Sequence, residues 1–167
     1  MKVVVCDDNS VFVSQLVSKL ESIFAKKGYT VEVKAYYDPM QLVHEDEGNA
    51  DVYFLDIEMP EMDGIKLAQF LRKQRDSEFI FVSVHDELWR RTMKVKPIAF
   101  IRKNLLETDL EEAVEDFLKE YLRKKKNVIL RDGKRPVSVT LSQVIYFSSD
   151  KDYVVLHFMN GEQKILR

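Results

Sequence analysis

Val52-Tyr53-Phe54-Leu55-Asp56-Ile57-Glu58-Met59-Pro60-Glu61-Met62-Asp63-Gly64 decides how the chain is to be read. An uninterrupted apolar run stops abruptly at a carboxylate, Asp56. Such a run, bounded by polar and turn-forming residues, is the pattern of a strand buried on both faces. The acidic loop after it, with Pro60 and Gly64, leads to Leu67, Ala68 and Leu71 at helical spacing. The segment reads as strand, loop and helix, with Asp56 at the carboxyl end of the strand.

The same unit recurs on either side. Val3-Val4-Val5 stops at Cys6-Asp7-Asp8-Asn9, and Ser10 is expected to cap a helix carrying Phe12, Leu16, Leu20, Ile23 and Phe24 on one face, ending near Gly28. Val31, Val33 and Ala35 alternate with Glu32 and Lys34, as on an edge strand. Asp38-Pro39 opens a short helix to about Glu45. Phe79 to Val82 ends at Ser83, a weaker helical stretch covers about Glu87 to Lys94, and Ile98 to Ile101 precedes Lys103. Leu110, Ala113, Val114, Phe117, Leu118 and Tyr121 mark an amphipathic last helix. Five strand–helix units over residues 1–122 predict an α/β fold, a doubly wound parallel sheet with helices on both faces. In such sheets a ligand sits at the carboxyl ends of the strands.

Beyond Arg123-Lys124-Lys125-Lys126-Asn127, expected to be a helix tail and basic linker (123–127), the pattern changes to short strands and turns. Val128 to Leu130, Val137 to Thr140, Val144 to Phe147, Tyr153 to Phe158 and Gln163 to Leu166 predict a small all-β C-terminal segment, 128–167. Asn160-Gly161 is a hairpin turn signal, and Arg131-Asp132-Gly133-Lys134 another turn. Charge divides at the same place. Residues 1–122 carry 16 Lys+Arg against 24 Asp+Glu and residues 123–167 carry 10 against 4, so −8 and +6 combine to the −2 of the whole chain. The split suggests two units with different partners, the second polyanionic.

At 46% hydrophobic and 32% charged, the 167 residues suit a folded chain rather than a disordered one. No run approaches the roughly 18 apolar residues of a membrane span, and no signal peptide opens the chain, so a cytoplasmic setting without membrane is expected. The single cysteine, Cys6, excludes an internal disulfide and a Cys-rich zinc site, and it reads as a buried, inert thiol. His44 and His157 have no metal-ligand spacing.

Chemistry gathers at the strand ends. Asp7, Asp8 and Asp56 end strands that can be neighbours, and three acids at one rim repel unless a cation binds; oxygen-rich sites suit Mg²⁺. Ser83 and Lys103 end two further strands and supply a hydroxyl and an ammonium suited to phosphoryl oxygens. Together these groups make a phosphoryl-transfer site with Asp56 as nucleophile.

Val5-Cys6-Asp7-Asp8-Asn9, Phe54 through Gly64, Ser83 and Phe100-Ile101-Arg102-Lys103 resemble the motifs of response-regulator receiver domains over residues 1–122. The resemblance implies a flavodoxin-like (βα)5 sheet and a phosphoacceptor rather than an enzyme, one that catalyses at most its own phosphorylation and dephosphorylation. Asp56 would accept a phosphoryl group from a sensor histidine kinase. Asp8, Asp56 and the backbone carbonyl of Glu58 would ligate Mg²⁺, helped by Asp7. Ser83 would be the switch hydroxyl, Lys103 the cationic clamp and Phe100 the aromatic that rotates with the switch. Glu58 and His85 stand where receivers tune hydrolysis. One departure is Asn104, where receivers usually carry proline in a cis peptide, so the bond is either trans or strained.

Val137 to Arg167 resembles the start of a LytTR-type DNA-binding domain, especially Leu141 to Ser148 and Tyr153 to His157. Such domains run to about twice this length, so residues 128–167 are expected to be an N-terminal half. The resemblance implies DNA as a partner and transcription regulation as the output, with Lys151, Tyr153, Lys124, Lys125 and Lys126 as contact candidates and weak binding by this portion alone. The alternative activity is a Mg²⁺-dependent phosphohydrolase with an aspartyl-phosphate intermediate, although that family's Asp-x-Asp is replaced here by adjacent acids. A flavin-binding flavodoxin lacks its Ser/Thr/Gly-rich phosphate loop. Basic Arg90, Arg91, Lys94 and Lys96 crowd the fourth helix and its exit, and acidic Glu107, Asp109, Glu111, Glu112, Glu115 and Asp116 the start of the fifth. A two-fold homodimer on phosphorylation could therefore set each basic face against the partner's acidic one.

Overall fold

β1 (Lys2–Cys6), β2 (Glu32–Tyr36), β3 (Val52–Asp56), β4 (Glu78–Ser83) and β5 (Ala99–Arg102) form a parallel sheet in the order β2-β1-β3-β4-β5 in the computed structural model. The structure describes residues 1–73, 76–125 and 127–166. The three central strands bury nearly every side chain, as their continuous apolar runs require. β5 carries a similar run but is half-buried, because it has a strand neighbour on one side only. β2 alternates as expected of the opposite edge. The core includes Phe54, Phe79, Phe81, Leu55 and Leu67, all fully buried. Each such side chain contributes ~1.5–3 kcal/mol through removal from water.

Helices α1 (Ser10–Lys26), α2 (Pro39–Glu45), α3 (Gly64–Arg72), α4 (Trp89–Thr92) and α5 (Leu106–Lys124) connect or follow the strands. The cap of α1 is Asn9 and not Ser10: the Asn9 side chain accepts from the backbone of Val11 and Phe12, and Ser10 is already helical. The helix buries Val13, Leu16, Leu20 and Phe24, leaving Phe12 and Ile23 half-buried. It stops in a left-handed Gly28 (φ 81), with Gly28 N donating to Ala25 O and Tyr29 N to Phe24 O. The weak helical stretch expected over Glu87 to Lys94 is a composite. A 3₁₀ turn (Asp86–Leu88), the four-residue α4 and another 3₁₀ turn (Met93–Val95) succeed one another, and Lys96 closes the segment in the left-handed region. Arg72 reaches across from α3 to the Val95 and Lys96 carbonyls at 2.9 and 3.1 Å.

The order of the strands reverses at β1, which lies between β2 and β3. The chain therefore leaves β1 in one direction and β3 in the other, opening a crevice at their carboxyl ends. Asp7 and Asp8 follow β1 there, and Asp56 ends β3.

The chain divides into two compact units, Met1–Phe117 and Leu118–Arg167. Arg123 and Lys124 are the last residues of α5. In the second unit β6 (Asn127–Asp132) and β7 (Arg135–Thr140) form an antiparallel pair. β8 (Val144–Asp150), β9 (Tyr153–Phe158) and β10 (Gln163–Leu166) form an antiparallel sheet in the order β10-β9-β8. Val139, Leu156 and Leu166 form the buried centre of the second unit, with Leu130, Val137, Val144 and Phe158 packed around them. β10 is an edge strand, and Ile165 on it is exposed. Among the described residues no helix is long and apolar enough to cross a membrane.

Candidate functional site

The parallel register of β1 and β3 pairs Cys6 with Leu55, so the residues that follow each strand share one rim. Asp7, Asp8 and Asp56 each offer a carboxylate oxygen there, all within 4.8 Å of one another. Asp7 and Asp56 are buried, while Asp8 is exposed. Lys103, in the 3₁₀ turn Lys103–Leu105 after β5, crosses the rim to place Nζ 2.6 Å from Asp7 Oδ2 and 3.2 Å from Asp56 Oδ1. All peptide bonds among the described residues are trans, Lys103-Asn104 included. The ammonium reaches both acids in that form.

Burial pushes the Asp56 carboxyl up from 3.8 to about 6; the Lys103 charge opposes this and Asp7 adds to it. The folded protein thus holds this proton more tightly than the unfolded chain does. Below pH 4 both states are protonated and the group contributes nothing. As pH rises from 4 through 6 the unfolded chain releases its proton first, and stability falls by roughly 3 kcal/mol. We expect Asp56→Asn to raise the urea midpoint at pH 7.5 and to match the wild type at pH 4. Equal midpoints at both pH values would show that the Asp56 charge costs the fold nothing.

The donors fit a hard divalent cation. They are all carboxylate oxygens, and Asp7 Oδ2 is buried without a directed hydrogen bond even though the Lys103 ammonium stands beside it. Asp7 Oδ1 accepts from Asn9 N at 2.9 Å, which fixes the carboxylate plane. Glu58, two residues after Asp56, has an exposed side chain whose carboxylate lies 3.2 Å from His85 Nε2. Glu87 approaches the other ring nitrogen at 3.4 Å. Glu58 and His85, both expected from the resemblance to tune hydrolysis, are thereby brought together.

Ser83 ends β4 fully buried, and its Oγ accepts from His85 N at 3.0 Å. Phe100 pairs with Phe81 in the sheet and is half-buried against the core. Cys6 is buried, with Sγ 3.7 Å from Met59 Sδ, and its thiol is pushed up to about 12 by burial and the surrounding acids.

Three contributors escape a reading by residue type. Phe12 presents its ring to Lys103, with Nζ 4.6 Å from the centroid. Gly64 packs so tightly on β3 that a Cβ there would stand 1.8 Å from the Asp56 carbonyl oxygen, and its N–H donates to Ile57 O at 2.9 Å. Asp109 takes three bonds from Arg102, one from the backbone and two from the guanidinium, at 2.8–3.0 Å. That pairing holds the Asp109 carboxyl below its usual range.

The described DNA-contact candidates lie on other elements than the rim residues, in the second unit. Lys124 ends α5, and Lys125 Nζ donates to Tyr121 Oη at 2.5 Å and lies over its ring. Lys151 occupies the left-handed region in the β8–β9 turn, next to exposed Tyr153. Lys126 lies outside the described residues.

Comparison with known proteins agrees with this geometry. The response regulator receiver domain family matches residues 3–115. The positive alginate biosynthesis regulatory protein of Pseudomonas aeruginosa is 27% identical over 186 residues, covering 97% of this chain and 71% of that protein. The NarL signal receiver domain of Mycobacterium tuberculosis superposes with a TM-score of 0.57 at 26% identity, over 71% of this chain and 95% of its own. The receiver domain of the Francisella response regulator 1452 gives 0.57 at 25%, over 72% and 98%. TrrA of Thermotoga maritima, solved in complex with Mg²⁺-BeF, shares the fold at 0.55 and 21%, over 70% and 97%. With the family matched across most of its length and the acidic crevice, buried hydroxyl and lysine in place, the chain belongs to the response regulator receiver family.

Proposed function

We propose that the protein is a response regulator in which Asp56 accepts a phosphoryl group from a sensor histidine kinase, in a cytoplasmic setting, and that the receiver controls an attached LytTR-type DNA-binding module. The observation that carries the first half is Asp56 itself. It is a buried carboxylate, held 3.2 Å from a lysine and within 4.8 Å of two further acids.

An Asp56 carboxylate oxygen attacks phosphorus, the phosphorus–nitrogen bond to the donor histidine breaks, and that nitrogen keeps the electron pair. Asp7, Asp8, Asp56 and the Glu58 carbonyl would hold Mg²⁺, which supplies charge neutralisation at the transferring oxygens. Lys103 adds a cation from the side of β5, and Ser83 supplies a hydroxyl to the bound phosphoryl group. Phe100, on the strand beside Ser83, follows that hydroxyl. Glu58 and His85, paired at the mouth, govern access of hydrolytic water.

Intact-mass measurement after incubation with phosphoramidate and Mg²⁺ tests this reading. One phosphoryl group per chain, as an alkali-labile acyl phosphate absent when a chelator is present, is expected. Steady multiple turnover of a phosphate ester would favour the phosphohydrolase instead.

For the second half, the support is the +6 charge of residues 123–167 together with the resemblance of that segment. Lys124, Lys125, Lys151 and Tyr153 would contact DNA phosphates, positioning the module without reading bases. Duplex binding should therefore weaken steeply, by at least tenfold between 50 and 200 mM salt. Binding that is absent at low salt, or indifferent to salt, would count against a DNA role. The basic residues Arg90, Arg91, Lys94 and Lys96 of the segment around α4, against the acidic start of α5, support a phosphorylation-dependent homodimer, which sedimentation at two salt concentrations would detect.

A further inference from the structure

We infer that Phe12 is a positioning residue for Lys103: its ring, registered to the acidic rim through the Asn9 cap, holds the ammonium between Asp7 and Asp56. The inference rests on the phosphoacceptor reading for its consequence, and on geometry for its substance. Four residues close a circuit. Asp7 Oδ1 accepts from Asn9 N at 2.9 Å, and Asn9 Oδ1 accepts from Phe12 N at 3.1 Å. The Phe12 ring lies 4.6 Å from Lys103 Nζ, and Nζ returns to Asp7 Oδ2 at 2.6 Å. The cap that starts α1 therefore also sets where the ring stands relative to the carboxylate.

The ring does something the acids cannot. Asp7 and Asp56 hold the ammonium at 2.6 and 3.2 Å, and the ring adds a third contact, at 4.6 Å, that carries no charge. A half-buried aromatic face attracts a cation over a broad, shallow surface and asks for no hydrogen bond in return. The ring makes no claim on the carboxylate oxygens that stand beside the ammonium. The lysine side chain is only 15% exposed, so the ring acts where water screens little. An aliphatic residue of similar bulk would fill the same space without this attraction.

Two measurements on the full chain decide it. By NMR, the Lys103 side-chain methylene protons should be shifted upfield by the ring in wild type, keep that shift in Phe12→Tyr and lose it in Phe12→Leu. In phosphoramidate reactions with Mg²⁺, Phe12→Leu should slow acyl-phosphate formation roughly three- to tenfold, and Phe12→Tyr should restore it. In a Lys103→Ala background, Phe12→Leu should have no further effect. An unshifted Lys103 in wild type, or an equal slowing by Phe12→Leu with and without Lys103, would overturn the inference. A wild type that takes up no phosphoryl group would refute the phosphoacceptor reading, while the NMR comparison would still decide the role of Phe12.

Discussion

Asp56→Asn is expected to abolish phosphoryl uptake altogether, with no gain in mass after exhaustive incubation with phosphoramidate and Mg²⁺. The loss is complete rather than partial because no other group in the crevice can replace the nucleophile. Asp7 is buried and committed to the Lys103 ammonium at 2.6 Å and to Asn9 N at 2.9 Å. Asp8 is exposed to water, where a carboxylate meets no preorganised cation on the far side of the phosphorus. The amide also cannot form the acyl phosphate, and it weakens the oxygen cluster by one charge. The variant should remain folded, since its neutral side chain is relieved of the burial penalty that lifts Asp56 to about 6. A mass gain in a folded Asp56→Asn protein would move the nucleophile to Asp7 or Asp8.

Gly64→Ala should be nearly as severe, by a different route. The added Cβ meets the Asp56 carbonyl oxygen at 1.8 Å and its carbonyl carbon at 2.9 Å, both backbone atoms at the centre of the sheet. No rotamer change relieves that contact, so either β3 or the first turn of α3 has to shift. Side-chain overpacking costs ~1–3 kcal/mol, and a clash with central backbone lies at or above the top of that range. Moving β3 would also carry Asp56 away from Lys103, so the rate of phosphoryl uptake should fall with stability. Gly28→Ala is the control: its left-handed backbone is strained for alanine but opens on empty space, and about 1 kcal/mol is expected. Similar urea midpoints for the two variants would show that α3 yields easily.

Much of this site is readable from sequence because its chemistry sits where hydrophobicity stops. Asp7, Asp56, Ser83 and Lys103 each follow or end an apolar run, and a parallel sheet lines such ends along one rim. Phe12 escapes for the opposite reason. Its apolar type and helical spacing place it with Leu16 and Leu20, and only the fold shows that α1 brings it to a lysine ninety-one positions later. The α1 cap is ambiguous locally, since Asn9 and Ser10 are both good caps and adjacent. The necessity of Gly64 depends on an atom of Asp56 that no pattern of side chains describes. The segment around α4 ends at Lys96, which Pro97 keeps out of the right-handed helical region, and Arg72 pins the Val95 and Lys96 carbonyls there, a contact that only the fold shows.

Cys6 gives the central sheet a reporter of its own opening. It is the chain's only cysteine, fully buried on β1 between β2 and β3, and its thiol is pushed up to about 12. Both burial and the lack of thiolate shield it from alkylating reagents while the sheet is closed. Labelling then proceeds at the pace set by the fraction of molecules whose β1 is transiently released. Because Asp7 is the next residue along the chain, occupancy of the acidic rim and the rate of thiol capture are coupled through a single peptide unit, and a ligand that tightens the rim announces itself as a slower reaction at sulfur.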